Sequence, residues 1–215
     1  MSGEPDVRQG AVEPGLAAEF PELGLAWTVA GAKPGRSPAD VRERLRMASD
    51  RFTGGKAINM RQQPIPWAYR VFFRHIGIDP DEQRTPIEAL AVERMRAGAF
   101  VSHGLVADAV MLGTLETGVP VQAFDADTVE GDVGLRLSSA GEELDGYRPI
   151  APGSVLIADD ARPLAVLFGD TAPGCEVGRS TGRVLLVAIR VAGVPPVSVD
   201  EALWTAFDTL GGTAG

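Results

Sequence analysis

The chain has 215 residues, 45% hydrophobic but only 6% aromatic, with one cysteine and a formal charge of −9. This supports one sizeable core or two small ones packed by aliphatic side chains, and it excludes an internal disulfide and indiscriminate nucleic-acid binding. No apolar run approaches the roughly 20 residues that span a bilayer, and the first fifteen residues lack the pattern of an export signal, so a cytoplasmic protein without membrane contact is expected.

Residues 1–20 are rich in Gly, Pro and Glu, a composition that predicts poor order. Leu23–Ala32 then reads as a buried strand. SPADVRERLRMASDRF follows with helix grammar, Ser37 as N-cap and Pro38 at the first helical position. Its stripe of Val41, Leu45, Ala48 and Phe52 leaves Arg42 and Arg46 on one flank and Arg44 and Arg51 on the other. Residues 54–66 read as a loop and 66–77 as a helix. Thr85 and Glu88 form a capping box for another helix, with Ile87, Leu90, Ala91, Arg94 and Met95 on one side and a stop near Gly98. GLVADAVMLGTL (104–115) is apolar almost all round and must be buried. After the turn at 117–120 the texture changes to short strands, VPVQAF, VGLRLSS, SVLIADD, LAVLF and RVLLVAIRV, before a C-terminal amphipathic helix. The order predicts helices of the first half packed on a mixed or antiparallel sheet of the second, as one α/β unit.

The usual catalytic signatures are missing: there is no GxxxxGK[ST], HExxH, CxxC or GxSxG. Two histidines do not make a histidine metal site, and the carboxylates of FDADTVEGD lack calcium-loop spacing; they read as an acidic turn. Neither a metal nor a cofactor is expected. Cys175 lies in a glycine-rich loop after a strand, where backbone N–H groups can meet an anion; a thiol there becomes a nucleophile only if a base such as His103 reaches it. Residues 33–74 hold ten basic side chains against three acidic ones. Arg42, Arg44, Arg46, Arg51, Lys56 and Arg61 of this segment are the candidate phosphate contacts, with a solvated helix face as the alternative.

The stretch GLVADAVMLGTLETGVPVQAFDADTVEGDVGLRLSSAGEEL, then PGSVLIADD and LAVLFGDTAPGCEVGRSTGRVLLVAI, resembles the B3/B4 domain of the phenylalanyl-tRNA synthetase β subunit. The matching pieces run in order: Val106, Asp108, Leu115-Glu116, Gly118, Pro120, Ala123-Phe124-Asp125, Gly131, Arg136, Gly141-Glu142, Ile157-Ala158-Asp159, Glu176-Val177 and Thr181. The resemblance implies a three-layer α/β sandwich over residues 21–196, preceded by the segment 1–20 and followed by a C-terminal helix and tail over 197–215. It implies an editing-type site, in which a positioned water hydrolyses an aminoacyl ester without a covalent nucleophile. The pocket positions carried over are Val110, Met111, Gln122, Phe168, Gly169, Cys175 and Val187. Several depart from the family pattern: Gln122 replaces a histidine, Val110 and Met111 replace Thr and Asn, and Val187 replaces the Glu that reads the tyrosine hydroxyl. A site without that Glu loses the chemistry that selects tyrosine, and the replacements suit an apolar side chain. No catalytic residue follows from this. Three readings stay open: a free-standing aminoacyl-tRNA deacylase, a non-catalytic module binding charged tRNA or an amino-acid-like small molecule, and a repurposed enzyme using Cys175 or Gln122.

Overall fold

The structure, a computed structural model, describes residues 3–52, 55, 59–144, 146 and 148–212. A four-stranded antiparallel sheet in the order β1-β2-β9-β3 forms its middle layer, from β1 (Arg8–Gly10), β2 (Gly24–Gly31), β3 (Val121–Asp125) and β9 (Arg183–Arg190). Seven of the eight residues of β2 and β9 that pair in the middle of the sheet are apolar or small, which suits strands covered on both faces. Helices α5 (Leu105–Thr117) and α6 (Pro196–Thr209) cover one face. They cross closely because Gly113 has no side chain: a Cβ there would lie 2.7 Å from the Ala202 carbonyl oxygen. The same Cβ would lie 3.2 Å from Val121, so Val121, Ala123 and Asp125 face the helices, while Gln122 and Phe124 face the other way.

The second sheet, β4 (Gly134–Leu137), β7 (Val155–Ala158) and β8 (Pro163–Val166) in the order β4-β7-β8, contributes Leu135, Leu156, Ile157 and Leu164 to the core that also holds Leu25, Leu185 and Val187 of the first sheet. Strands β5 (Glu143–Leu144) and β6 (Arg148–Pro149) pair with each other as a separate two-stranded ribbon. Helix layer, sheet and sheet make the α/β sandwich that the sequence resemblance implies. Helix α2 (Ala39–Arg51) packs outside α5, where Val41 and Leu45 meet Met111, Leu112 and Phe100 in a second apolar cluster. Helix α3 (Pro64–His75) sends Ala68, Tyr69 and Phe72 into the main core, and α4 (Pro86–Ala97) packs Ile87 and Ala91 against Met60.

Three local expectations are revised. The first twenty residues carry β1 and α1 (Pro14–Glu19), with Leu16 fully buried. This segment straps the two sheets together: β1 pairs with β2, and Leu135 N–H donates to the Ala11 carbonyl. The glycine there serves close approach, not mobility, since a Cβ on Gly10 would sit 2.2 Å from the Val133 carbonyl oxygen. Ser37 does not cap α2, which starts at Ala39; its hydroxyl donates to the carboxylate of Asp108, a stronger acceptor in a buried site. On α4 the capping box forms, and Ile87 and Ala91 are buried, but Met95 is half exposed because the helix ends at Gly98 before anything covers its last turn. The loop expected over 54–66 falls partly outside the described residues; its described end is a 3-10 turn at Met60–Gln62 followed by α3.

Candidate functional site

The structure does not gather the seven pocket positions into one place. Gln122 and Val187 are direct cross-strand partners, and Trp27 lies on the other side of Val187 in the same row. All three point toward the second sheet. Val187 is buried, and the Gln122 Oε1 atom is buried with no hydrogen-bond partner among the described residues. An unsatisfied buried acceptor costs about 1–3 kcal/mol, so this amide marks a place where a donor would be welcome.

Val110 lies on the opposite side of the sheet. It lines an open cavity of about 460 Å³ with Ala123, Val177, Pro34, Gly35 and His103, between the N-terminus of α5 and the 171–178 loop. Met111, one residue on, turns away into the α2 cluster. Cys175 is fully buried, and its carbonyl accepts from the Asp125 N–H, so the loop is tied to the end of β3 by its backbone. A thiol closed off from solvent does not serve as a nucleophile; the His103 ring, half exposed, holds its Nε2 2.9 Å from Glu93. Phe168 is elsewhere again. It has φ +57°, stacks on Phe73 at 4.9 Å and meets Tyr69 edge-on at 6.0 Å; Gly169 beside it is an exposed turn residue. The seven positions therefore split into a cavity wall (Val110), a row between the sheets (Gln122, Val187), an aromatic corner with its exposed turn (Phe168, Gly169) and core packing (Met111, Cys175).

Asp108 explains how the cavity is held open. Fully buried, its carboxylate accepts from the Ser37 and Ser102 hydroxyls and, at 2.8 Å, from the His103 backbone N–H. The Leu105 N–H donates to the Gly35 carbonyl at 2.8 Å. Segments 35–37 and 102–105 are thus locked to each other through one side chain at the start of α5. The acidic turn after β3 is likewise structural: Asp125 accepts from Thr181 Oγ1 at 2.6 Å and from the Asp127 N–H at 3.1 Å.

The basic residues sort by partner. Arg46 is clamped between Glu43 (2.6 Å) and Asp50 (2.8 Å); hydrogen bonding to Arg46 holds the Glu43 carboxyl below its usual range and Glu43 raises the guanidinium. Arg44 pairs with Glu116 at 3.1 Å, and Arg61 with Glu88 at 2.8 Å. Arg42 reaches only the Pro38 carbonyl, at 3.5 Å; Arg51 edges a groove beside Met47 and Phe52; Lys56 lies outside the described residues. On the α2 flank Arg44 and Arg46 are neutralised by carboxylates, whereas Arg42 and Arg51 have no acidic partner among the described residues. Lys33, Arg36 and Arg179, all exposed, likewise have no acidic partner among the described residues, and it is these that flank Pro34, Gly35 and Val177 of the α5 cavity wall. Lys33 and Arg36 stood within the basic segment of the sequence, but nothing periodic singled them out; Arg179 sits in the glycine-rich loop, apart from that segment.

Comparison with protein families matches residues 68–202 to the B3/4 domain. The chain belongs to the B3/4 domain family. Within this B3/4 domain protein, a stretch of 94 residues is 40% identical to the phenylalanine–tRNA ligase beta subunit of Xanthomonas oryzae pv. oryzae, covering 42% of the chain and 12% of the relative. The beta subunit of Xylella fastidiosa (strain 9a5c) is 33% identical over 129 residues, and that of Streptomyces avermitilis 30% over 127; each alignment covers 57% of the chain and 15% of the relative. The chain thus spans a small part of the length of these relatives. Among the described residues no helix is long and apolar enough to cross a membrane.

Proposed function

We propose that this B3/4 domain protein receives the aminoacyl end of a charged tRNA in the α5–β3 cavity and hydrolyses the ester there. The observation that carries this reading is the pairing of an apolar cavity with cations left unpaired at its edge. Val110, Ala123, Leu105 and Val177 offer an aliphatic lining for an amino-acid side chain. Lys33, Arg36 and Arg179 are available to phosphates, because no carboxylate among the described residues pairs with them. The family membership and the synthetase relatives supply the substrate class.

Of the residues lining this cavity, His103 is the one with proton-transfer chemistry. If its Nε2–H donates to Glu93, Nδ1 is the acceptor that takes a proton from an attacking water. With the Leu105 N–H taken by Gly35, the N–H groups of Val106 and Ala107 at the first turn of α5, on the same wall, are the ones that suit the developing oxyanion. The water's oxygen joins the ester carbonyl carbon, the bond to the ribose oxygen breaks, and that oxygen leaves with the proton held by His103.

A panel of charged tRNAs, with wild type beside His103→Ala and Val110→Phe, tests this. Hydrolysis of one amino-acid class is expected, slowed about 10²–10⁴-fold by His103→Ala with binding retained, and blocked together with binding by Val110→Phe. A second reading, a non-catalytic binding module, is favoured by Gln122: an amide stands where the family has a histidine, and its oxygen awaits a donor. Binding without hydrolysis across the whole panel, weakened by Gln122→Ala, would select that reading.

A further inference from the structure

A second cavity, of about 320 Å³, opens on the other face of the central sheet and shares no lining residue with the α5 cavity. Trp27 forms its floor with Val29 and Leu185, and Val129 and Val133 of the β3–β4 connection face them. Trp27 is only 9% exposed. Two arginines frame the opening. Arg8, the cross-strand neighbour of Trp27, holds its guanidinium 5.2 Å from the indole centroid and is tied to Asp6 by contacts of 2.8 and 2.9 Å. Arg183, at the start of β9 and opposite Gly31, lies four residue steps from the Trp27 row, about 13 Å along the strands. Its ion pair with Asp127 is longer, 3.3 Å, and both side chains are about half exposed.

We propose that this cavity binds a small aromatic anion: a flat ring between Trp27, Leu185 and Val133, with a carboxylate or phosphate on Arg183. The shape and lining select a ring of this size, since stacking on indole and aliphatic walls rewards flat apolar surface. The charge follows from Arg183. An exposed ion pair is worth about 0–1 kcal/mol, so an incoming anion displaces Asp127 at little cost, and a guanidinium meets either oxyanion with two parallel N–H donors. Arg8, already over an aromatic face, serves the ring and not the anion. The site is independent of the aminoacyl-tRNA reading and stands or falls separately.

The protein has three tryptophans, and Trp67 and Trp204 are 49% and 42% exposed, so Trp67→Phe/Trp204→Phe leaves the cavity floor as the only indole emitter. Its fluorescence is titrated with phenylacetate, adenosine 5′-monophosphate, the neutral 2-phenylethanol, and acetate or inorganic phosphate alone. An emission change with at least one aromatic anion is expected, with 2-phenylethanol binding about tenfold more weakly and the ring-free anions giving none. Phenylacetate alone would identify a carboxylate ligand, and the nucleotide alone a phosphate one. Arg183→Ala should erase the preference for the anion over 2-phenylethanol, whereas Arg8→Ala should weaken both by a similar factor. The proposal is overturned if no aromatic anion alters Trp27 emission up to millimolar concentration. It is also overturned if Arg183→Ala, shown folded by its thermal transition, keeps the preference.

Discussion

Arginines at the α3–α4 junction and cations at the edge of the α5 cavity are used in opposite ways. At the junction, Arg70 is 4% exposed, with 2.7 Å contacts to Glu88 and to Asp81. Burial alone would lower the Arg70 pKa, yet its two carboxylates outweigh burial and raise it; its hydrogen bond to Asp81 in turn holds that carboxyl below its usual range. Arg61 and Arg74 also lean on this cluster, and Glu88 accepts from Thr85 to complete the α4 cap. At the cavity edge, Lys33, Arg36 and Arg179 are exposed and make no ion pair among the described residues. The difference teaches that counting charges along a sequence does not locate a phosphate site; what matters is which cations the protein leaves without a carboxylate.

Stability measurements should separate the two classes. Arg70→Met leaves Glu88 and Asp81 short of a partner and should cost about 3–5 kcal/mol in denaturant unfolding, as expected for breaking a buried pair, whereas Arg36→Met should lie within about 0.5 kcal/mol of wild type. Equal losses would mean that the edge cations are structural after all. A smaller effect comes from Arg136 and Glu142, joined by two side-chain hydrogen bonds and partly buried. Hydrogen bonding to Arg136 holds the Glu142 carboxyl below its ordinary value of 4.5. A depressed carboxyl pKa stabilises fully above the unfolded value and loses that contribution as pH falls through the folded one. Acid titration from about pH 4.5 downward should therefore destabilise the wild type more than Glu142→Gln.

Gln122→Leu removes a buried unsatisfied oxygen and should be neutral or stabilising by about 1 kcal/mol while weakening any ligand that donates to that amide. A large destabilisation would place Gln122 among the structural polar groups. At the bottom of the scale, Arg46→Ala breaks two exposed ion pairs and should leave the thermal midpoint almost unmoved.

Much of the fold was legible because its signals are local and periodic. The capping box at Thr85, the apolar run of α5 and the five strand texts from VPVQAF to RVLLVAIRV each appear where read. What escaped were contacts made across distance. Gly10 looks like a sign of disorder until it is seen against the Val133 carbonyl, and Ser37 looks like a cap until Asp108, 71 residues away, takes its hydroxyl. The site was legible in its residues but not in its geometry. Alternation along β3 puts Gln122 and Ala123 on opposite faces, so a linear motif names residues that serve two different spaces.

The most direct test of the account is charged-tRNA binding measured against salt for Lys33→Glu/Arg36→Glu/Arg179→Glu and for Arg44→Glu/Arg46→Glu, both beside wild type. The first variant is expected to lose at least tenfold in affinity and to flatten the salt dependence by about 2–3 in log–log slope, while the second stays within about twofold of wild type. Loss confined to the Arg44/Arg46 variant, or no binding of charged tRNA by the wild-type protein, would contradict the placement of the acceptor end at the α5–β3 cavity.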